Sequence, residues 1–376
     1  MNYRNFKAAG IDVSLLGFGA MRLPTLGDDI SQIDEAEAIR MIRYAIDHGV
    51  NYVDTAYVYH NEQSEVVVGK ALADGYREKT LVATKMPFWR MKGPEEMGPT
   101  LDKQLEKLAT DHIDMYLIHD IKGANWDKVL NWKIYDFLRE QREAGKIRFI
   151  GFSSHCESPK EFKAIIDEYP WDFCQLQINY MDKNIQAGVE GYEHAVSKGI
   201  PIVVMEPLKG GKLTDAMPPS IQKYWDSLSS DRTPAEWAFR WVANLPGILT
   251  ILSGMNKMEQ VEENVRVLSA ADIEKLSESD LAVIDKAAEE YNKLIAYQCT
   301  TCRYCLPCAV EINIPKAMEF RNSYDIYGKT QRMQNDYDHF LRVKPSACIA
   351  CGKCEAECPQ HLNIIQAMKE NVALFE

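Results

Sequence analysis

Apolar, largely β-branched segments recur along most of the chain. They are LLGFGA (15–20), NYVDTA (51–56), TLVATK (80–85), DMYLIHD (114–120), IRFIGFS (147–153), FCQLQIN (173–179), IPIVVME (200–206) and LTILSG (249–254). Each is followed by a stretch in which apolar positions return with helical spacing. Near-continuous apolar runs of this length suit strands buried on both faces, as in a parallel sheet. The stretches between them carry helix-start chemistry. Asp34 with Glu37 forms a candidate capping box ahead of Ala38, Ile39, Ile42, Ala45 and Ile46, which share one face. Ser158-Pro159 with Glu161, and Thr233-Pro234 with Glu236, repeat the order of cap, first-turn proline and acid. Gly145 and Gly199 stand where helices should stop. Eight such alternations predict a closed (β/α)8 barrel, with an open doubly wound sheet as the competitor. NFKAAGIDVSLLGFG reads as a short hairpin turned at Ala9-Gly10 that seals the bottom of the barrel. GFGAMR contains G-x-G, but Arg22 stands where a dinucleotide fingerprint needs its third glycine, so that reading is rejected.

Composition narrows the function classes. At 376 residues the chain is too long for one compact core, and 46% hydrophobic with 26% charged residues is a globular balance. A net charge of −12 argues against nucleic acid or an anionic membrane as partner. MNYRNFKAAG lacks the apolar core of a signal peptide, and no run of 18 apolar residues exists, so the expected location is cytoplasmic. Of ten cysteines, Cys156 and Cys174 lie alone and the other eight fall between 299 and 358. In a cytosolic chain such a cluster points to metal rather than to disulfides.

In a barrel of this kind the chemistry sits at the C-terminal ends of the strands. There the sequence sets Asp54, with Tyr59 just beyond it in DTAYVYH, then Lys85, then His119. An acid, a phenol, an amine and an imidazole thus arrive from three consecutive strands. A phenol is a weak acid, with a reference pKa of about 10, and a nearby ammonium favours its ionised form. A carboxylate beside the lysine keeps it charged and in place, and the imidazole can orient a carbonyl. Singly, each has an ordinary reading as a loop cap, a surface charge or a core histidine; together they make a candidate proton-transfer site.

DTAYVYHNEQSEVVVGKAL, LVATK and DMYLIHD resemble the aldo-keto reductases over about residues 3 to 290. The resemblance implies a TIM barrel that reduces aldehydes or ketones with a nicotinamide cofactor, NADP or NAD. It places the family's tetrad on Asp54, Tyr59, Lys85 and His119. Tyr59 would be the general acid, Lys85 would lower its pKa, Asp54 would hold Lys85, and His119 would orient the carbonyl or relay a proton. It also implies cofactor positions: Ala20 and Met21 in GFGAMR, and Ser153 and Ser154 in IGFSSH for the carboxamide, where the second place is usually Asn. Gln175 in CQLQINY also falls at a carboxamide position. Met205 stands where the family often has a stacking aromatic, and Pro207, Leu208, Lys209 and Gly210 would follow the pyrophosphate. Gln260, Glu263 and Asn264 fall in the adenosine segment SGMNKMEQVEENV. Gln260 replaces a frequent arginine for the 2′-phosphate, and Lys257 is the candidate substitute, so the choice between the two cofactors stays open. For Ser153 and Gln175 the ordinary reading is strand-end hydrogen bonding, and for Met205 it is core packing. Trp89 and Trp126 either line an apolar pocket or cover the barrel rim.

Cys348, Cys351, Cys354 and Cys358-Pro359 follow C-x2-C-x2-C-x3-C-P, which resembles the bacterial ferredoxin run. Cys299, Cys302, Cys305 and Cys308 make a second run, with a shorter last spacing and Ala309 in place of the proline. The pairing this resemblance implies is crossed: Cys299, Cys302 and Cys305 with Cys358, and Cys348, Cys351 and Cys354 with Cys308. Structural zinc prefers two pairs per ion, so [4Fe–4S] clusters, two rather than one, are the better fit to triplets. PKAMEFRNSYDIYGKTQRMQNDYDHFLRV, helical except at Gly328, and the helical NIIQAMKENVALF resemble the α-helical ferredoxins. LSESDLAVIDKAAEEYNKL (276–294) reads as a bridging helix capped by Ser277 or Ser279, with Leu281, Ile284 and Ala288 on one face. The expected domains are therefore a barrel over 1–275, a bridging helix over 276–295 and a mainly α-helical ferredoxin-like domain over 296–376. The fusion resembles aldo-keto reductases with a C-terminal 4Fe-4S dicluster domain. It implies a carbonyl reductase with a small-molecule substrate, whose clusters exchange electrons with a redox partner protein or report redox state. The alternatives are a non-catalytic nicotinamide-binding scaffold for an electron carrier, and clusters that are purely structural.

Overall fold

The computed structural model describes every residue except 8, 28, 215–216, 229–231, 300–303 and 359. Ten strands run β1 Tyr3–Phe6, β2 Ile11–Ser14, β3 Leu16–Gly19, β4 Tyr52–Asp54, β5 Leu81–Met86, β6 Ile113–Ile118, β7 Ile147–Ser154, β8 Phe173–Gln177, β9 Ile202–Met205 and β10 Ile248–Gly254. The α-helices are α1 Glu35–Asp47, α2 Ser64–Ala71, α3 Met97–Leu108, α4 Gly123–Asn131, α5 Ile134–Glu143, α6 Pro159–Glu168, α7 Gly188–Ser197, α8 Pro219–Asp226, α9 Pro234–Ala243 and α10 Met258–Leu268. They continue with α11 Glu278–Lys293, α12 Ile314–Tyr327, α13 Gln331–Phe340, α14 Lys353–Ala356 and α15 Ile364–Phe375. None is long and apolar enough to cross a membrane among the described residues. The chain divides into two compact units, Met1–Gly210 with Arg232–Ser277, and Gly211–Asp231 with Glu278–Glu376.

In the first unit, β3 to β10 close into an eight-stranded barrel in the order β10-β3-β4-β5-β6-β7-β8-β9, every pairing parallel. The closed barrel, not the open sheet, is the fold. All residues of β4, β5 and β6 are buried, which is why their sequences do not alternate. The hairpin forms as expected, with Phe6 opposite Ile11 and Gly10 at φ +64° in the turn. Phe6 and Val13 are fully buried in one apolar cluster with Tyr52, Met115, Leu117, Phe173 and Leu249 of the strands, so the hairpin plugs the barrel.

The caps are where the sequence puts them. Asp34, Ser158 and Thr233 accept hydrogen bonds from the backbone N–H groups of Glu37 (3.1 Å), Glu161 (3.4 Å) and Glu236 (3.2 Å). On α1 the buried face is Ala38, Met41, Ile42, Ala45 and Ile46, while Ile39 is only half-buried. Gly145 and Gly199 end their helices at φ +78° and +71°.

The second unit is mainly helical. Asn313 caps α12 and Thr330 caps α13, with Gly328 at φ +67° between the two helices. Phe320, Tyr337 and Phe375, from α12, α13 and α15, build an aromatic core in which Tyr337 stacks on Phe375 at 4.5 Å between ring centroids. Arg321 on α12 pairs with Glu370 on α15 and with Asp325. On α11 the buried face is Ile284, Ala287, Ala288 and Tyr291; Leu281, expected on that face, is 38% exposed.

Candidate functional site

β4, β5 and β6 deliver their last residues to one rim. Lys85 is buried (1% exposed), and its Nζ donates to both carboxylate oxygens of Asp54 (2.7 and 2.8 Å) and to the Thr55 carbonyl (2.7 Å). Tyr59 Oη lies 3.5 Å from the same nitrogen, whose position is also 5.0 Å from the tyrosine ring centroid. An ammonium has three donors, so the three short contacts use them all and the phenol is the outer partner. A hydrogen-bonded frame stands behind this group. Ser64 donates to the Ala20 carbonyl (2.9 Å) and meets the Thr55 hydroxyl (2.8 Å). Gln104 on α3 donates to the Lys85 carbonyl (3.1 Å) and to Glu65 (2.7 Å), which also accepts from Thr84 (2.7 Å).

Burial disfavours the charge on Lys85, but the charge of Asp54, then that of Tyr59, and the hydrogen bonds that Lys85 donates to Asp54 outweigh it and hold the amine above its ordinary pKa. For Tyr59 the balance goes the other way. Burial raises the phenol above its ordinary value more than Lys85 lowers it, and Asp54 adds to the rise. The expected pull of Lys85 is present, but the net fall in pKa is not, because the dry surroundings disfavour a phenolate. His119 stands with its ring 6.1 Å from that of Tyr59 and 4.7 Å from that of Trp89, both edge-on. Burial, and then the charges of Lys85, His155 and Lys122, push its imidazole well below the ordinary range, so it is neutral at pH 7. Its buried Nδ1 has no hydrogen-bond partner among the described residues. Trp89 therefore belongs to the site, whereas Trp126 packs on Tyr169 (6.2 Å) in the aromatic group of Tyr135 and Trp171.

The expected cofactor positions follow around the rim with mixed availability. Ala20 is buried and Met21 is 58% exposed. Ser153 accepts from the Asp120 N–H (2.9 Å), while Ser154 is committed to the Ile121 carbonyl (2.6 Å) and the Cys156 N–H (3.1 Å). Gln175, buried, touches the Met205 sulfur at 3.8 Å through Nε2, and its Oε1 is a buried acceptor without a partner among the described residues. After β9, Pro207 is buried and Leu208 half-buried, with Gly210 at φ +69°. Lys209 is bound to the buried Asp182 through both oxygens (2.5 and 2.7 Å). Gln260 accepts from the Asn256 N–H (2.9 Å), Glu263 from the Thr233 hydroxyl (2.7 Å), and Asn264 donates to Ser253 (3.0 Å).

Two features of this rim lay outside the sequence reading. Arg22 donates to the Gly210 carbonyl (3.0 Å), and its stem lies where a Cβ on Gly254 would fall, at 3.3 Å. Asp182 gathers Gln177 (3.0 Å), Asn179 (3.2 Å) and Lys209. The legible signal was the N-x-x-D of INYMDKN. Asn179 accepts from the N–H groups of Met181 (3.0 Å) and Asp182 (2.8 Å), the local turn that Asn favours.

In the second unit one pocket is lined by Cys305, Cys308, Cys348, Cys351 and Cys354, with Ile312, Ile314 and Met368 among its apolar walls. It brings Cys308 to the triplet Cys348, Cys351 and Cys354. The described cysteines are free thiols. Burial, and then neighbouring negative charge that includes Cys348 and Cys351, raises the Cys354 thiol. Cys358 is buried in the apolar core, against which Cys299, Cys305, Cys308, Cys348 and Cys354 also pack. Cys302 and Pro359 lie outside the described residues. No three His, Cys, Asp or Glu side chains among the described residues converge tightly enough for a single metal ion.

Comparison with known proteins agrees with this architecture. Residues 15–289 match the model of the aldo/keto reductase family, and residues 298–363 match a 4Fe-4S dicluster domain. L-galactose dehydrogenase of Arabidopsis thaliana is 26% identical over 305 residues, covering 76% of this chain and 93% of its own. The aldo-keto reductase YhdN of Bacillus subtilis is 28% identical over 301 residues, covering 70% and 87%. Among solved structures, the holo form of aldo-keto reductase AKR11C1 from Bacillus halodurans superposes with a TM-score of 0.64 at 26% identity, covering 76% of this chain and 96% of that one. An aldo-keto reductase from Klebsiella pneumoniae in complex with NADPH shares the fold with a TM-score of 0.61 at 22% identity, covering 76% and 95%. The chain thus belongs to the aldo/keto reductase family of oxidoreductases and carries a 4Fe-4S dicluster domain C-terminal to its barrel.

Proposed function

We propose that the barrel reduces an aldehyde or ketone to the alcohol with NADPH or NADH. The observation that carries this reading is the buried Lys85 ammonium held between Asp54 and Tyr59. Tyr59 is the proton donor: burial keeps its phenol protonated at neutral pH, and Lys85 stabilises the charge left on the oxygen when the proton moves. Asp54 keeps Lys85 charged and aimed. His119, neutral, offers a hydrogen bond that turns the carbonyl oxygen toward Tyr59. The nicotinamide, when bound, supplies the hydride. The rim fits it: the unpartnered Gln175 Oε1 is an acceptor for a carboxamide N–H, and Ser153 is at hand beside it. Pro207 to Gly210, Gln260, Glu263 and Asn264 are proposed to hold the remainder. Lys209 and Glu263 do so as members of the pairs they already form.

The second unit is proposed to hold two [4Fe–4S] clusters that exchange electrons with a redox partner or report redox state. The pocket that gathers Cys305 and Cys308 with Cys348, Cys351 and Cys354 supports this. Cysteine triplets at two-residue spacing suit the corners of a cubane, whereas structural zinc prefers two pairs per ion.

The test is Tyr59→Phe in the anaerobically prepared holoenzyme, assayed with NADPH and NADH against a panel of aldehydes. Loss of the general acid should lower kcat by about 10²- to 10⁴-fold while nicotinamide binding persists. Unchanged turnover would remove Tyr59 from the mechanism. Tight nicotinamide binding without turnover of any carbonyl by the parent protein would favour the scaffold reading instead.

A further inference from the structure

His60 follows the proposed proton donor in sequence, is buried, and has both ring nitrogens on backbone groups. Nε2 accepts from the Leu23 N–H (3.0 Å), so the ring proton sits on Nδ1, which donates to the Ile30 carbonyl (2.6 Å). Both partners belong to the connection between β3 and α1. That connection is tied again at its start, where Ser64 donates to the Ala20 carbonyl (2.9 Å). Ala20 and Met21, expected at the nicotinamide, are thus bracketed by two ties to the segment that carries Tyr59. Burial lowers the His60 pKa more than the Ile30 and Met21 carbonyls raise it, which keeps the ring neutral, and only the neutral ring has an acceptor for Leu23. The turn so anchored is strained. His60, Asn61 and Glu62 take φ +51°, +50° and +72°, three successive residues with side chains in the left-handed region. Such residues enter that region at a cost and stay there when their surroundings fix them. Glu62 is fixed by Arg90 and Lys103 (both 3.3 Å) and Lys107 (3.7 Å), and His60 fixes the end nearest Tyr59.

We propose that His60 is a positioning residue for the reduction: by tying the β3–α1 connection to the turn after Tyr59, it sets the separation between the nicotinamide's seat and the proton donor. The proposal rests on the carbonyl-reductase reading, with Ala20 and Met21 among the nicotinamide positions, and deepens it. Hydride and proton come from different groups, and a carbonyl takes both only when the two donors keep the right separation. The barrel does not set that separation by itself. Its ladders fix Gly19 opposite Asp54, but Met21 and Tyr59 both lie beyond their strands, in connections. A bond between the connections is needed, and His60 supplies one at each ring nitrogen. It acts through Tyr59 and the backbone of Met21 to Ile30.

The experiment compares His60→Gly and His60→Asn with the parent as anaerobic holoenzymes. It reads the dissociation constant of NADPH by fluorescence, kcat on an aldehyde panel, and the melting temperature. Glycine takes φ +51° without strain and asparagine tolerates it, so the backbone favours folding in both. Glycine keeps neither bond, whereas asparagine keeps an amide donor close to the place of Nδ1. The glycine variant should bind NADPH about tenfold more weakly and lose about tenfold or more in kcat, the worth of the lost hydrogen bonds. Asparagine should recover part of both, whatever the order of the melting temperatures, and it carries the comparison if glycine fails to fold. Unchanged kcat and NADPH affinity in the folded variants, with only the melting temperature altered, mark a histidine that serves the fold alone and overturn the proposal. In protein labelled with ¹⁵N-histidine, the resonances lost in the asparagine variant should be those of a neutral ring protonated at Nδ1, and a proton on Nε2 instead overturns it too. Reduction of no aldehyde by the parent protein overturns the carbonyl-reductase reading, and this inference with it.

Discussion

Lys85 meets four oxygens with three protons. Asp54 and Thr55 hold the short contacts, and Tyr59 waits at 3.5 Å. The amine acts on the phenol mainly through its charge, which in a dry site reaches further than a hydrogen bond. His119 shows the same surroundings from the other side, since burial above all, and then the charge of Lys85, keeps it neutral. That has a thermodynamic consequence. A histidine whose pKa is depressed on folding adds stability that is full above its unfolded value, about 6.5, and is lost as pH falls below it, because the unfolded chain takes up the proton first. The melting temperature should therefore fall between pH 7.5 and 5, and His119→Phe should flatten that fall. Both proteins carry the same C-terminal domain, so their difference isolates His119. Identical pH slopes would mean that the imidazole is not depressed. At this scale the sequence revealed groups that end consecutive strands, because strand ends in a barrel share a rim. It hid Arg22, Asp182 and the burial that reverses the Tyr59 shift, which depend on loops returning from distant positions.

Helices hold the rim in place. α2 carries Ser64 and Glu65, the two residues that lock the strand ends around Thr55 and Lys85, and it lies directly against the C-terminal end of α3. The contact is possible because residue 69 is glycine. A Cβ there would stand 2.6 Å from the Lys107 carbonyl oxygen and 2.9 Å from that of Leu108, and backbone cannot swing aside as a side chain can. Helix propensity favours alanine over glycine by about 1 kcal/mol. Packing should reverse the sign: Gly69→Ala should destabilise by about 1–3 kcal/mol. It should also lower kcat, because α2 can move only by disturbing Ser64 and Glu65. A thermal melt beside a steady-state assay checks both, and a stabilised, fully active variant would show that the helices part without consequence. Caps such as Ser158-Pro159 were legible because they are local chemistry. The buried face of α11 was misread at Leu281 because periodicity fixes an angle around a helix, not where along its axis the packing begins. The grouping of 211–231 with the C-terminal unit is made across the intervening Arg232–Ser277, to which no periodicity points.

For the molecule as a whole, the two clusters proposed for the C-terminal domain require ligands from two runs of cysteines far apart in sequence. The reaction proposed for the barrel moves a hydride, which is two electrons, and each cubane carries one, so the number of clusters sets how many electrons the C-terminal domain can hold. The pocket joins Cys305 and Cys308 of the first run to Cys348, Cys351 and Cys354 of the second, so the two runs meet. The crossed pairing that the ferredoxin resemblance implies, proposed here for this chain, makes a prediction that sequential pairing does not. Cys308→Ser and Cys351→Ser should each remove one and the same cluster, so each should lower iron by about four atoms per chain. The double variant should lose no more than either single one. Cys358→Ser should remove the other cluster, and its combination with Cys351→Ser should empty the domain. Were each run to hold its own cluster, the Cys308–Cys351 double variant would be the one to lose all its iron, and the Cys351–Cys358 double would retain half. Iron and sulfide analysis of anaerobically purified proteins, with electron paramagnetic resonance after reduction, separates the two schemes. Serine also ligates weakly in some clusters, so alanine at the same positions completes the set, and agreement between the two series assigns each loss to the thiolate itself.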